Sequence, residues 1–340
     1  MSLREAIAVA VEGDEVPARL LEAAFGEIVD GKASPVAIAA LLVALHTKGE
    51  TVGEIVAAAR ALRARAVAAP RVDPRTIDTC GTGGDGAQTF NVSTAAAFVV
   101  AGAGVPVAKH GNRAASSRAG SIDVLEALGV GVDLPVEVAA RILAEVGIAP
   151  FFARRAHPAM RFAAPVRKEL GIRTLMNCLG PLLNPVGVRY QLVGVYAPEL
   201  VEPIAAALRE LGAERALVVH GGDGLDEITT SCPTDAVLAS RTGVTALKID
   251  PASLGLEPPA AGALRGGDAA ENAAIVAAVL EGEPGPRSDI VLVNAAAALW
   301  VAGVADDLEG GLALARESVA SGAARQRLER LVEASMRVSA

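Results

Sequence analysis

Residues 78–94 read D-T-C-G-T-G-G-D-G-A-Q-T-F-N-V-S-T, with four glycines inside residues 81–86. The apolar run T-I-D-T-C (76–80) leads in, and an alanine-rich stretch follows from Asn91–Thr94. This predicts a strand, a glycine loop and the start of a helix, whose free N–H groups and dipole favour an anion. No G-K-[ST] follows, and the spacing G-x-G-G-x-G is not the dinucleotide fingerprint G-x-G-x-x-G. Taken alone, the loop also fits a tight strand-to-helix turn without a ligand, the less favoured reading. Thr89, Asn91, Ser93 and Thr94 weigh against that, because hydroxyls and amides hold phosphate and its metal. Asp85 is the odd member, since a carboxylate repels a bare phosphate.

Outward from this loop, short apolar runs alternate with alanine-rich helical segments. They are V-P-V-A-K (105–109), I-A-P-F-F (148–152), L-V-G-V-Y (192–196), A-L-V-V-H (216–220) and I-V-L-V-N (290–294). The alternation predicts β-α-β units around a buried, mostly parallel sheet. Upstream, the first seventy residues read as helices. Ser34-Pro35 supplies an N-cap and a first-turn proline, and Thr51 with Glu54 forms a capping box. The two prolines of A-A-P-R-V-D-P-R (68–75) mark a linker. R-K-E-L-G-I-R-T-L-M-N (167–177) looks helical and is expected to pack back on the N-terminal helices. The expected organisation is a small all-α domain over 1–70, completed by a segment near 167–180. A larger α/β domain takes 75–165 and 185–340.

The 340 residues carry a net charge of −8, and aromatics make up 3%. A general nucleic-acid binder needs a basic face and stacking surfaces, so that class is disfavoured. The three cysteines, Cys80, Cys178 and Cys232, are scattered without a C-x-x-C pair, so neither a disulfide framework nor a zinc site is suggested. The acids of the N-terminal M-S-L-R-E-A-I-A-V-A-V-E-G-D-E do not suit a signal peptide. Apolar stretches near 94–108 and 290–304 are broken by Gly, Pro or Asn. The expected location is the cytoplasm.

Three further stretches carry candidate chemistry. K-H-G-N-R-A-A-S-S-R-A-G-S (109–121) follows an apolar run and reads as a second phosphate cradle, although a basic run is often only a solvated loop. H-G-G-D-G-L-D-E (220–227) ends in adjacent carboxylates. These can serve one site only on a loop, where they would suit Mg2+ bridged to substrate phosphates; the alternative is an exposed glycine turn. In F-F-A-R-R-A-H-P-A-M-R (151–161) His157 reads as structural, bonded to a neighbouring strand or loop. Further on, the planar fork of Arg167 is suited to a carboxylate substrate.

These motifs resemble those of the anthranilate phosphoribosyltransferase family over nearly the whole chain. The resemblance rests on D-T-C-G-T-G-G-D-G (78–86), T-F-N-V-S-T (89–94), K-H-G-N-R (109–113), A-P-V-R-K-E-L-G-I-R-T (164–174), N-x-L-G-P-L-L-N-P (177–185) and H-G-G-D-G-L-D-E (220–227). It implies an α/β fold of the nucleoside-phosphorylase/phosphoribosyltransferase type with a small all-α domain. It also implies magnesium-dependent transfer of phosphoribose from phosphoribosyl diphosphate to the amino group of anthranilate, within tryptophan biosynthesis. A homodimer through the α domain and about two Mg2+ ions per site are implied as well. The implied donor-binding residues are Gly81, Thr82, Gly84, Asp85, Thr89, Asn91, Val92, Ser93 and Thr94 on the first loop. On the second they are Lys109, His110, Gly111, Asn112, Arg113, Ala114, Ala115, Ser116, Ser117 and Ser121. Anthranilate is implied near Gly81, Asn112 and Arg167, and the metal at Ser93, Asp226 and Glu227.

No general base is implied, because an aromatic amine is already uncharged at neutral pH. The alternatives are a pyrimidine nucleoside phosphorylase, whose K-H-S replaces the K-H-G here, and a non-catalytic nucleic-acid-binding relative. Phosphorolysis of thymidine or uridine discriminates the first, and salt-dependent DNA binding the second.

Overall fold

The computed structural model describes residues 2–114 and 118–339. The chain opens with α1 (Ser2–Val11), α2 (Ala18–Val29), α3 (Pro35–Lys48) and α4 (Val52–Arg63). Both expected caps form. Ala37 N donates to Ser34 Oγ at 3.3 Å; Glu54 N donates to Thr51 Oγ1 at 3.2 Å, and Thr51 N returns to Glu54 Oε2 at 2.9 Å. Glu54 is fully buried and also accepts from Lys48 Nζ at 2.7 Å and Val16 N at 2.9 Å, so the cap is tied into the bundle.

The α/β part begins with β1 (Ile77–Gly81), α5 (Val92–Gly102), β2 (Val107–Gly111), α6 (Ser121–Ala127), α7 (Val136–Val146) and β3 (Ile148–Phe152). Short helices α8 (Ala153–Ala156), α9 (Ala164–Leu170) and α10 (Leu175–Cys178) lead to β4 (Tyr190–Gly194), α11 (Val201–Glu210) and β5 (Arg215–Gly221). A hairpin of β6 (Thr234–Ser240) and β7 (Gly243–Ile249) precedes α12 (Ala269–Leu280), α13 (Pro286–Val301), α14 (Leu308–Ala320) and α15 (Ala323–Ser339). Among the described residues the sheet order is β3-β2-β1-β4-β5-β6-β7. The first five strands in that order are mutually parallel, and β6 runs antiparallel to both β5 and β7, so the expected mostly parallel sheet is present.

Alternation along the strands sends neighbouring residues to opposite cores. Leu192, Leu217 and Val219 face the layer built on α5 and α12–α15. Val193, Ala216 and Val218 face α11, the four N-terminal helices and α10. The helical bundle therefore shares a core with one face of the sheet. Arg63 reinforces the joint, donating to Leu182 O at 2.6 Å and Leu211 O at 3.2 Å.

One expectation is overturned and two details are added. I-V-L-V-N (290–294) is not a strand but lies inside α13, all five residues buried. Its apolar run continues through A-A-A-A-L-W behind a helix-starting Pro286, and that length suits a buried helix. The hairpin β6–β7 has no counterpart among the expected strands: β6 buries Thr234 and β7 exposes Val244 and Ala246, so polarity and burial do not alternate together. The segment 167–177 is two helices, broken at Gly171; both α9 and α10 pack against α3.

Candidate active site

Chain direction across the sheet reverses between β1 and β4, the place where an open α/β sheet leaves a crevice beyond its strand ends. The last residues of these strands are Gly81 and Gly194, paired in register. Their missing side chains leave room for the loop after β5, which lays Asp226 across both strand ends. Asp226 Oδ2 accepts from Gly83 N at 2.7 Å, and Glu227 Oε1 accepts from Ser93 N at 3.1 Å. Two adjacent carboxylates on a glycine-rich loop thus converge on the glycine loop and on the start of α5. Glu227 occupies part of the helix N-terminus that the sequence assigned to a phosphate.

Lys109 is almost fully buried and reaches this corner from β2, donating to Thr79 O at 2.6 Å and to Ser93 Oγ at 3.4 Å. Burial, and then the Asp85 charge, push the Asp226 carboxyl well above the usual carboxylate range. Burial and Asp226 do the same to Glu227, although Lys109 opposes the shift. Repulsion between buried acids is what a divalent cation relieves, so the donor set fits magnesium. Among the described residues no cluster of three His, Cys, Asp or Glu side chains forms a metal cage. Mg2+ is often held by one or two carboxylates with substrate phosphates supplying the rest.

The other expected donor residues lie on the segments that join β1 to α5 and β2 to α6 and at the ends of those elements. Gly84 and Asp85 cap the glycine loop, where Asp85 Oδ1 accepts from Ala87 N at 3.2 Å. Thr82 Oγ1 accepts from Tyr196 N at 3.1 Å, and Thr89 bridges to Arg265. Val92 and Thr94 are buried, so Val92 offers only backbone, and its N–H already donates to Phe90 O at 2.8 Å. The Thr94 hydroxyl is buried without a partner. On the second loop Gly111 lies against Ser121. Asn112 Oδ1 accepts from Arg113 N at 2.9 Å, while the Arg113 guanidinium is held by Asp123 at 2.9 Å and Glu126 at 2.8 Å. Ala114 N donates to Asp123 Oδ2 at 2.9 Å. Ala115, Ser116 and Ser117 lie outside the described residues.

A cleft of about 680 Å3 opens on the other side of Gly81. Gly81, His110, Asn112, Arg154, Arg161, Arg167 and Met176 are among the residues that line it. Arg167 thus shares one cleft with Gly81 and Asn112. Its burial lowers its pKa without costing the guanidinium its charge, so it faces the cleft as a partly desolvated cation. His157 is structural as expected, its Nε2 bonded to Leu183 O at 2.7 Å.

His110 is buried 5.3 Å from His157, edge to face, and burial with His157 pushes its imidazole down to about 3. Unfolded histidine titrates near 6.5, so below that pH the unfolded chain takes a proton that the folded chain refuses. Stability is therefore lost as pH falls from about 6.5 towards 3. We expect His110→Gln to remove about 2 kcal/mol of the loss between pH 7 and pH 5. Urea unfolding at both pH values measures it; equal losses in both proteins would exclude His110 as the source.

Asp78, Asn184 and Arg173 appear in the quoted motifs without an expected role. Asp78 is fully buried, accepting from Asn184 Nδ2 at 2.9 Å and His110 N at 3.2 Å, and Asn184 also donates to Ala108 O at 2.8 Å. This clamp fixes β2 beside β1. A charge in a buried strand is a readable signal that partners exist, but not which ones. Arg173 stacks 4.1 Å over the Tyr196 ring and donates to Gly84 O, pinning the glycine loop to the segment that follows α9.

Two family models match. One, described as the glycosyl transferase family helical bundle domain, covers residues 4–66; the other, the a/b domain of that family, covers 73–325. The chain is 56% identical over 312 residues to the anthranilate phosphoribosyltransferase of Thermomicrobium roseum, covering 91% of this chain and 90% of that protein. The chain belongs to the anthranilate phosphoribosyltransferase family. The crystal structure of the Thermus thermophilus enzyme matches with a TM-score of 0.91 at 46% identity, covering 97% of this chain and 98% of that one. The Saccharomyces cerevisiae enzyme in complex with PRPP and Mg matches with a TM-score of 0.89 at 27% identity, covering 98% of each chain. The same yeast enzyme in complex with 4-fluoroanthranilate gives a TM-score of 0.87 at 26% identity, covering 98% of this chain and 99% of that one.

Proposed function

We propose that this protein transfers the phosphoribosyl group of phosphoribosyl diphosphate to the amino group of anthranilate, releasing pyrophosphate, with magnesium. The observation that carries this reading is the junction at Gly81. On one side lie two repelling carboxylates with Lys109, and on the other a cleft of about 680 Å3 bearing Arg167. A nucleophile bound in the cleft thus sits next to a polyphosphate bound at the loops. The yeast complexes with PRPP and Mg and with 4-fluoroanthranilate support the same substrates.

Ser93, Asp226 and Glu227 would hold magnesium, which when bound supplies charge neutralisation for the pyrophosphate leaving group. Gly81, Thr82, Gly84, Asp85, Thr89, Asn91–Thr94 and the 109–121 loop are assigned to the donor. The Lys109 ammonium would face the diphosphate in a water-poor corner, where a pair at 4 Å gains about 4 kcal/mol at an effective dielectric of 20 against about 1 in water. Arg167 and Asn112 orient the acceptor carboxylate, leaving its amine towards Gly81. His110 and His157 stay neutral and no base is assigned.

Fluorimetry following loss of anthranilate in the presence of phosphoribosyl diphosphate and magnesium tests the reading. Phosphorolysis of thymidine or uridine without that transfer would replace it by a nucleoside phosphorylase. Arg167→Ala is expected to raise the half-saturating anthranilate concentration about 10- to 100-fold, as loss of a charged hydrogen-bond partner would. The donor value should change less than about threefold on the same scale. Equal changes would remove Arg167 from the acceptor subsite.

The reading extends to about two ions per site, a cytoplasmic location and a homodimer through the helical bundle. Val36 and Val43, one heptad apart on α3, are 79% and 37% exposed, which supports a covered face there. Sedimentation equilibrium tests it. We also propose the division into 1–70 with 167–180, and 75–165 with 185–340; the packing of α9 and α10 against α3 supports it. Among the described residues no helix is long and apolar enough to cross a membrane.

A further inference from the structure

Asn91 is the N-cap residue of α5, yet its side chain makes no bond to the α5 backbone. An N-cap asparagine ordinarily accepts from the second or third helical N–H, a bond worth about 1 kcal/mol. Here its Oδ1 instead accepts from Asn272 Nδ2 at 2.9 Å, from a residue 181 positions away in the chain. Its Nδ2 donates to Ala119 O at 3.4 Å, just ahead of the start of α6. Asn272 is 2% exposed, on the first turn of α12, and its own Oδ1 accepts from Gly267 N at 2.7 Å.

These bonds have one direction. Gly267 N–H can only donate and Ala119 C=O can only accept. Turning either amide between them would oppose two donors or two acceptors. The order Gly267, Asn272, Asn91, Ala119 therefore allows a single orientation of both amides. The segment carrying it is strapped to the glycine-loop exit. Phe90 N donates to Leu264 O at 3.2 Å, Gly266 N donates to Gln88 O at 2.9 Å, and Thr89 bridges to Arg265. A side chain at position 266 would lie 2.7 Å from Phe90 Cα and 2.6 Å from Asn272 Oδ1, so only glycine lets the strap approach.

We propose that Asn272 is a positioning residue for the donor site. Through the Asn91 amide it sets the spacing between the first donor loop, at the start of α5, and the second, at the start of α6. The inference rests on the donor site proposed above, whose two loops it ties together. Asn91 acts in it as a tie between the loops, with its amide oxygen committed to Asn272.

The test is Asn272→Asp, which is isosteric and keeps the acceptor for Gly267 N–H. It places an oxygen against Asn91 Oδ1, so Asn91 must turn and lose Ala119. The half-saturating phosphoribosyl diphosphate concentration should rise about tenfold or more, roughly the loss of one hydrogen bond in a tied network. The maximal rate and the half-saturating anthranilate concentration should stay within about twofold, well inside the effect of one such bond. Calorimetry with magnesium pyrophosphate should show a matching loss of affinity. A variant with a lower melting temperature but unchanged donor and pyrophosphate affinities overturns the proposal, as do equal changes for donor and acceptor. Asn272→Ala gives the same measurements should the aspartate variant not fold. If the parent protein binds magnesium pyrophosphate but transfers nothing to anthranilate, the functional reading fails, and the calorimetric comparison alone decides the positioning role.

Discussion

Glu227→Gln is expected to lower kcat/KM for phosphoribosyl diphosphate about 100- to 1000-fold while leaving the fold intact or stabilising it. The side chain accepts a hydrogen bond from Ser93 N, and the glutamine oxygen can keep that bond. What disappears is the charge. Burial and Asp226 already oppose that charge, holding the Glu227 pKa above its ordinary value. A raised carboxyl pKa means that stability is present at low pH and lost as pH rises through the folded value. The glutamine variant does not suffer that loss, so at neutral pH it should gain roughly 1–2 kcal/mol of stability. Lost activity with a raised melting temperature and a weakened magnesium titration is the expected signature. A variant with the parent's magnesium titration would detach Glu227 from the metal.

Adding one methyl group at the switch point should have the second large effect, and its outcome depends on which glycine receives it. At Gly194 the new carbon would overlap the Asp226 carbonyl, which is backbone and cannot turn aside. The loop carrying Asp226 and Glu227 would have to leave the strand end, so Gly194→Ala should cost about 3 kcal/mol or more and abolish activity. At Gly81 the methyl would meet the Asp226 carboxylate, the mobile end of a side chain. Gly81→Ala should therefore fold, swing that carboxylate off Gly83 N–H, and lose magnesium activation together with access from the cleft. Melting curves separate the two variants. Gly81→Ala with normal magnesium activation and normal anthranilate saturation would show that the close approach has no functional role.

Much of this geometry was legible in the sequence because its signals are local. The strand-loop-helix around 78–94, the Ser34 and Thr51 caps and the loop after β5 each depend on residues within a few positions of one another. The fate of I-V-L-V-N (290–294) was not legible, because a short apolar run satisfies a buried strand and a fully buried helix alike. Packing between the sheet at β4 and β5 and the helices α5 and α14, together with the length of the run, decided for the helix. The hairpin β6–β7 escaped for a related reason: its outer strand exposes Val244 and Ala246 beside Thr245 and Lys248, so its burial follows no period of two.

By itself, then, the sequence determined which loops are glycine-rich, which carry acids, which carry cations, and that all of them follow strands. It also singled out Asp85, Asp226, Glu227, Lys109 and Arg167 as candidates for chemistry. Only the tertiary structure decided who meets whom. Gly81 and Gly194 become neighbours because the strand order reverses between β1 and β4, and that reversal brings Asp226 over both. Asn272 reaches Asn91 because α12 packs beside α5 and α6, far away in the chain. Such pairings are set by the packing of sheet and helices, a property of the whole chain that no local pattern encodes.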